Sequence, residues 1–213
     1  MLRLFYSPGA CSLVPHVALE EAGADFELVR AMIAEGAHQR PEYLAINPHG
    51  RVPALATDQG VITENIAILN FIADQFGAEG SVPRGDAFAA ARCNELLGWF
   101  ASSVHIAFSQ IWRAHRFTDD EAAQRTVTVS GNATVRRHFE EIDGLCGDGW
   151  LVENRFSAAD SYLLTFFRWS CKIGADMTRY PRWAALAGRA IERPAVARAL
   201  GNEGLPHSDF AIQ

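Results

Sequence analysis

Residues 2–23 read LRLFYSPGACSLVPHVALEEAG, and the interpretation of this stretch sets the fold. Arg3-Leu4-Phe5-Tyr6 is a short, largely apolar run suited to a strand. Ser7-Pro8-Gly9 then carries the chain through a turn. From Ser12 the pattern changes to SLVPHVALEEAG, which predicts a helix closing at Gly23. With Ser12 as N-cap, Pro15 falls in the first helical turn, where its missing N–H costs nothing. The junction therefore sets Cys11 beside free helix amides and the positive end of the dipole. Such surroundings lower a thiol pKa, and the thiolate is the reactive form. They would stabilise a thiolate brought by a substrate equally well. A small, half-buried hydrophobe is the competing reading of Cys11, and the residue alone does not decide between them. For Cys93, Cys146 and Cys171 the hydrophobe reading is taken.

Outward from this stretch, DFELVR predicts a second strand. A loop with Gly36, His38 and Pro41 follows and contains a helical turn at Glu42-Tyr43-Leu44. VPALAT and VIT flank Asp58-Gln59-Gly60 and predict a hairpin. ENIAILNFIADQFG predicts a helix with Ile68, Leu69, Ile72 and Phe76 on one face and Gly77 at its end. Strand-helix-strand, loop, strand-strand-helix over residues 1–77 predicts a small mixed sheet carrying helices.

The Gly- and Pro-rich AEGSVPRG, residues 78–85, reads as a linker. Beyond it no strand pattern stands out, and residues 86–213 read as an all-helical unit. A long helix is expected over 86–115, apolar at 93, 97, 100, 104, 108 and 111, and a more polar one over 118–146. Ser157-Ala158-Ala159-Asp160 has the form of a capping box. The helix it opens, SYLLTFFRWSC, is apolar on nearly every side and should lie at the centre of its bundle. Two shorter helices are expected around 181–192 and 194–201.

Composition narrows the function. The chain has 213 residues, 49% hydrophobic and 21% charged, as in a globular protein. A net charge of −6 argues against nucleic acid as a partner, and an anionic ligand would need local donors. Lys172 is the single lysine among 19 basic residues, so a lysine nucleophile is nearly excluded. No apolar run is long enough to span a membrane. No cysteine pair or histidine set has metal-ligand spacing, and no metal is expected. The opening residues read as strand rather than signal peptide, and the scattered thiols suit a reducing cytoplasm.

Further residues qualify as candidates, each beside a plainer structural role. Tyr6 ends the first strand and could donate to an anion; packing is the plainer role. Val52-Pro53 opens a strand, and the isomer of that bond is not legible. Free amides at Thr63-Glu64-Asn65 suit a carboxylate ligand, while Glu64 could accept an ammonium. A helix-dipole acid would look the same. Gly98, Ser102, His105, Ser109 and Trp112 form a small and polar stripe centred on His105, able to line a cleft. A lone helical histidine is more often structural.

Taken in order, FYSPGACSLVPHVALEEAG, NPHGRVPAL, ITENIAILNFIAD, SSVHIAF and RFSAADSYLL resemble the glutathione transferases, and most closely their bacterial beta class. The resemblance runs from Leu2 to about Leu205. It implies an α/β thioredoxin-like N-terminal domain plus an all-α C-terminal domain, assembled as a homodimer. It implies that Pro53 is cis, that the Val52 backbone pairs with the cysteinyl part of glutathione, and that Glu64 and Asn65 hold the γ-glutamyl end. Cys11 matches the beta-class cysteine at the glutathione sulfur, and His105 a histidine approaching it from the helical domain. Tyr6 matches a tyrosine that activates the thiol in other classes, and Ser12 is a second hydroxyl donor. Ser102 and Ser103 match positions near glutathione, partly across the dimer interface.

Some familiar contacts are missing. Ile106 stands where lysine is common, Gly98 replaces a polar amide, and the 31–40 loop has Glu35 and no lysine; Arg51 or Arg113 could compensate. The implied activity is transfer of glutathione, as co-substrate, to a small electrophile in the manner of detoxification enzymes, with thiol-disulfide exchange through Cys11 as related chemistry. The alternative is a non-catalytic binding, stress or scaffold protein on the same fold.

Overall fold

A computed structural model describes residues 1–77 and 80–211. The expected alternation is present: β1 (Leu2–Tyr6), α1 (Leu13–Glu21), β2 (Phe26–Arg30), a single turn α2 (Pro41–Leu44), β3 (Ala54–Thr57), β4 (Gly60–Thr63) and α3 (Asn65–Phe76). The sheet order is β2-β1-β3-β4, with β1 parallel to β2 and antiparallel to β3. This is a thioredoxin-like mixed sheet. Register explains how it is covered. Leu4 lies opposite Leu28 and Leu55, and that face meets α1, α3 and the helical part. Phe5 lies opposite Val29 and Ala54 on the other face, which Tyr43 of α2 covers. Phe76 departs from expectation, being 42% exposed. The packed face of α3 ends one turn earlier, at Ala73.

Of the expected linker, residues 78 and 79 lie outside the described residues, as do residues 212 and 213 of the helical unit. Residues 80–85 are not a loose hinge: Ser81 donates to the Leu69 carbonyl at 2.7 Å, its own carbonyl accepts from Ala158 at 3.0 Å, and Val82 is fully buried.

The single helix expected over 86–115 is interrupted. Asp86 caps α4 (Ala87–Trp99), accepting from the Phe88 and Ala89 amides. A π turn at Phe100–Val104 follows, and then α5 (His105–Trp112). The wider turn accommodates an extra residue and rotates everything after it. Arg113 leaves the helix and starts a 3₁₀ turn, Ala114–Arg116.

The remaining helices are α6 (Glu121–Leu145), α7 (Ala158–Lys172), α8 (Pro181–Ile191) and α9 (Pro194–Glu203). As expected, α7 is central, buried continuously from Ala158 to Phe167. Its capping acid Asp160 accepts the Ser157 amide at 2.9 Å and the Leu151 amide at 3.0 Å. Complete burial pushes that carboxyl up to about 6, against the pull of these bonds. One apolar core runs from Leu4 and Leu55 of the sheet through α1 and α3 into α4, α7 and α8. The sheet and the bundle are therefore fixed to each other by packing.

Candidate active site

A cavity of about 660 Å³ opens between the carboxyl end of β1 and the α5–α7 wall. Its floor is the turn from β1 to α1, and the helical part grips that turn at one residue. Gly9 has φ +66°, its amide donates to Glu203 Oε2 at 2.7 Å, and its carbonyl accepts from Trp169 Nε1 at 2.8 Å and Arg168 Nη1 at 3.3 Å. The left-handed backbone favours glycine here, and a Cβ would also press on the end of the Arg168 side chain, which would have to shift. Glu203 also holds His16 Nδ1 at 2.9 Å, fixing α1.

Cys11 follows this turn, facing the cavity. Its thiol donates to the Val52 carbonyl at 3.4 Å. Of the two readings the sequence left open for this thiol, the acidic one does not hold. Burial pushes the thiol up to about 12; Arg113 and Arg51 work against this, and Glu64 adds to it. Desolvation of the buried thiol outweighs the opposing Arg113 and Arg51 charges. Cys11 in this form is a neutral S–H donor rather than a thiolate.

Two expected hydroxyl donors face elsewhere. Ser12 is fully buried, donating to the Ser7 carbonyl and accepting the Ser7 amide, both at 3.2 Å, and it forms no capping bond. The Tyr6 hydroxyl accepts from Nε of the exposed Arg30 at 3.1 Å, at the end of the edge strand β2. Neither lines the cavity. Ser102 is exposed and donates back to the Gly98 carbonyl at 2.8 Å, and neither it nor Ser103 reaches the cavity in the single chain. The π turn is the reason: it carries His105, Ser109 and Trp112 onto the cavity wall and leaves Gly98 and Ser102 behind.

On the sheet side, Val52-Pro53 is cis, and the preceding Arg51 carbonyl is held by Tyr43 Oη and Asn47 Nδ2, each at 2.7 Å. Glu64 has φ +68° and ψ 127° at the entry to α3, a conformation that costs a non-glycine residue about 1–3 kcal/mol. Glu64 and the first two residues of α3, Asn65 and Ile66, border the cavity. Asn65 works inward: Nδ2 donates to the Cys11 carbonyl at 3.0 Å and to Tyr162 Oη at 2.8 Å. Tyr162 was not legible as a site residue, since it reads as one more apolar position of α7. Burial pushes its phenol up, with Cys11 and Glu64 adding to the effect.

On the helical side, the His105 ring meets Trp169 edge-on at 5.0 Å between centroids. Burial, and then Arg113, Arg51 and Arg116, push His105 down to about 4, so it is neutral at pH 7. Phe108 stacks on Trp112 at 5.4 Å, and Trp112 meets Trp169 edge-on at the same distance. Arg116, Trp169 and His38 also line the cavity without having been singled out. The one signal for Arg116 was its place three residues after Arg113. Among the described residues, no three His, Cys, Asp or Glu side chains gather to hold a metal, and no helix is long and apolar enough to cross a membrane.

The model of the glutathione S-transferase N-terminal domain matches residues 1–74. The chain is 32% identical over 206 residues to glutathione S-transferase GstA of Escherichia coli O157:H7, spanning 96% of this chain and 100% of that protein. A glutathione transferase homolog from Sulfitobacter, solved with bound glutathione, superposes with a TM-score of 0.87 at 30% identity, covering 97% of this chain and 99% of the other. A bacterial beta class glutathione S-transferase from Sphingomonas chungbukensis gives 0.82 at 35% identity, covering 96% and 100%. The chain belongs to the glutathione S-transferase family, with bacterial beta-class proteins among its structural relatives.

Proposed function

We propose that the protein binds glutathione and transfers it to a small electrophile. The observation that carries this reading is the convergence of the Cys11 thiol, the Val52 backbone and His105 on one cavity between sheet and bundle. In this reading residues 1–77 bind the tripeptide, with the Val52 backbone pairing its cysteinyl part. The α3 amides and Glu64 take its γ-glutamyl carboxylate and ammonium. Arg51 serves the glycyl carboxylate in place of the missing loop lysine. Residues 86–213 supply His105 and the aromatic wall, a homodimer adds Ser102 and Ser103 of the neighbouring copy, and the setting is cytoplasmic.

The chemistry follows from the titration states. A glutathione thiol bound beside Cys11 releases its proton to solvent, and its sulfur anion accepts from a His105 N–H and from the Cys11 S–H, which turns to it from the Val52 carbonyl. The field of Arg51 and Arg113, which already opposes the rise of Cys11, favours that anion. The sulfur then attacks the electrophilic carbon, a C–S bond forms, and the leaving group departs with its bonding pair. Conjugation is favoured over exchange through Cys11, because burial keeps the Cys11 thiol protonated.

The test is retention on immobilised glutathione combined with turnover of chlorodinitrobenzene. Retention with turnover, reduced roughly a hundredfold in kcat by His105→Ala, is expected. Retention with no turnover of any electrophile in a panel would establish the binding or scaffold role instead.

A further inference from the structure

The charges around the cavity are unbalanced. Arg168 and Lys172 are both committed to Asp209, at 2.9 and 2.8 Å. Among the described residues, Arg51, Arg113 and Arg116 have no carboxylate within ion-pair distance, and Glu64 is the only acid on the wall. Three uncompensated cations thus face one cavity in a chain of net charge −6. Their mutual repulsion is visible in their neighbours. Burial together with Arg113 and Arg51 pulls Arg116 below its usual value, and His38 is lowered by burial, Arg116 and Arg113.

Arg113 and Arg116 are held close together along the chain. The Arg116 amide donates to the Arg113 carbonyl at 2.9 Å and closes a 3₁₀ turn. Arg113 is the N-cap of this turn and Arg116 its last residue, and both border the cavity. Aromatic rings flank them: Trp112 is 43% exposed and Phe117 46% exposed, and the Trp112 ring stacks on Phe108. Large rings left open beside paired guanidinium groups suit a flat ligand with an acidic substituent.

In the transferase reading glutathione does not use up this charge: its ammonium and one carboxylate are assigned to Glu64 and the α3 amides, and its other carboxylate to Arg51 on the sheet side. Arg113 and Arg116 stand on the helical wall with the aromatic rings.

We propose that Arg113 and Arg116 form an anion subsite for the second substrate, and that this substrate is an aromatic electrophile bearing a carboxylate. The assignment rests on the transferase reading above. In the reaction the sulfur anion displaces a leaving group from the ring, which departs with its bonding pair, while the two guanidinium groups hold the carboxylate.

The test is a pair of tryptophan-fluorescence titrations on the full chain, saturated with the unreactive thioether S-methylglutathione. Dinitrobenzoate and dinitrobenzene serve as matched unreactive ligands. The wild type is expected to bind the carboxylate about tenfold more tightly, with the ratio shrinking as salt is added. In the double variant Arg113→Gln/Arg116→Gln the ratio is expected to fall towards one. If that variant does not fold, each single variant is expected to reduce the ratio about threefold. Turnover should show the same preference, chlorodinitrobenzoate over chlorodinitrobenzene. A ratio near one in the wild type, or one that survives both substitutions, overturns the proposal. So does displacement of dinitrobenzoate by S-methylglutathione, which would assign the arginines to the tripeptide. Failure of S-methylglutathione to bind alone overturns the transferase reading, and with it the role of the ligand as second substrate; the carboxylate ratio then still decides whether the arginines form an anion site.

Discussion

Glu203 accepts the Gly9 amide at 2.7 Å across 194 residues of sequence, joining the last helix to the turn that presents Cys11. The same carboxylate binds His16 of α1 at 2.9 Å, and both its oxygens are buried. The helical part therefore sets the position of the active loop directly. Glu203→Ala orphans two buried partners at once, and the expected loss is about 3 kcal/mol, read from urea denaturation. Glu203→Gln, which retains an acceptor, should cost clearly less. Equal effects of the two substitutions would show that the carboxylate's bonds carry little of the stability.

Gly9→Ala should be at least as harmful as any surface change in the same turn. The substitution meets both the positive φ and the Arg168 guanidinium. An expected destabilisation of about 1–3 kcal/mol, with a rise in the KM for glutathione, follows from a displaced turn. A variant with unaltered Tm and KM would show that the turn yields without moving Cys11.

Cys11 should behave as a weak acid. With its thiol pushed up to about 12, its thiolate fraction rises about tenfold per pH unit through the whole accessible range. Alkylation by iodoacetamide, followed at Cys11 by peptide mapping, should climb steadily past pH 9. A plateau below pH 8 would reveal an acidic thiol and restore exchange chemistry through this residue.

His105, lowered to about 4, should not titrate in the working range. No inflection in kcat near pH 6.5 is expected from it. The linkage has a defined sign: the unfolded chain takes up the proton near pH 6.5 and the folded chain only near 4. Its stability contribution is full above pH 6.5 and is lost as the pH falls towards 4. His105→Phe should flatten that acid slope, and an unchanged slope would mean the ring is already charged when folded.

Asp160 has the opposite sign, because its carboxyl is raised from 3.8 to about 6. Its contribution is greatest below pH 3.8 and declines as the pH climbs through 6, by about 3 kcal/mol in total. Asp160→Asn should remove this decline, as measured by urea midpoints at pH 5 and pH 7.5. Persistence of the same decline in the variant would place its origin elsewhere.

The parts of the site that could be read beforehand were those written in local sequence. Ser7-Pro8-Gly9 marked the turn, Ser157 to Asp160 marked the start of α7, and the spacing of Glu64 from the hairpin marked the start of α3. Other features depend on groups far apart in the chain. That Asn65 Nδ2 ties Cys11 to Tyr162 had no sign in the local sequence. Ser102 and His105 seemed to share a stripe, because a regular helix was assumed and a π turn has no sequence mark. Cys11 could not be decided from the sequence, because the helix end is local and the burial that raises its thiol is not.

The element order of residues 1–77, the two kinds of architecture and the family membership were determined by sequence alone, since turn residues, capping boxes and apolar periods act over a few residues. Only the tertiary structure decided which hydroxyls face the cavity, which way each titratable group is shifted, and that Arg113 and Arg116 stand uncompensated beside Trp112. Those properties depend on desolvation and on the sum of charges around a point, and both are set by residues that meet only when the bundle closes over the sheet.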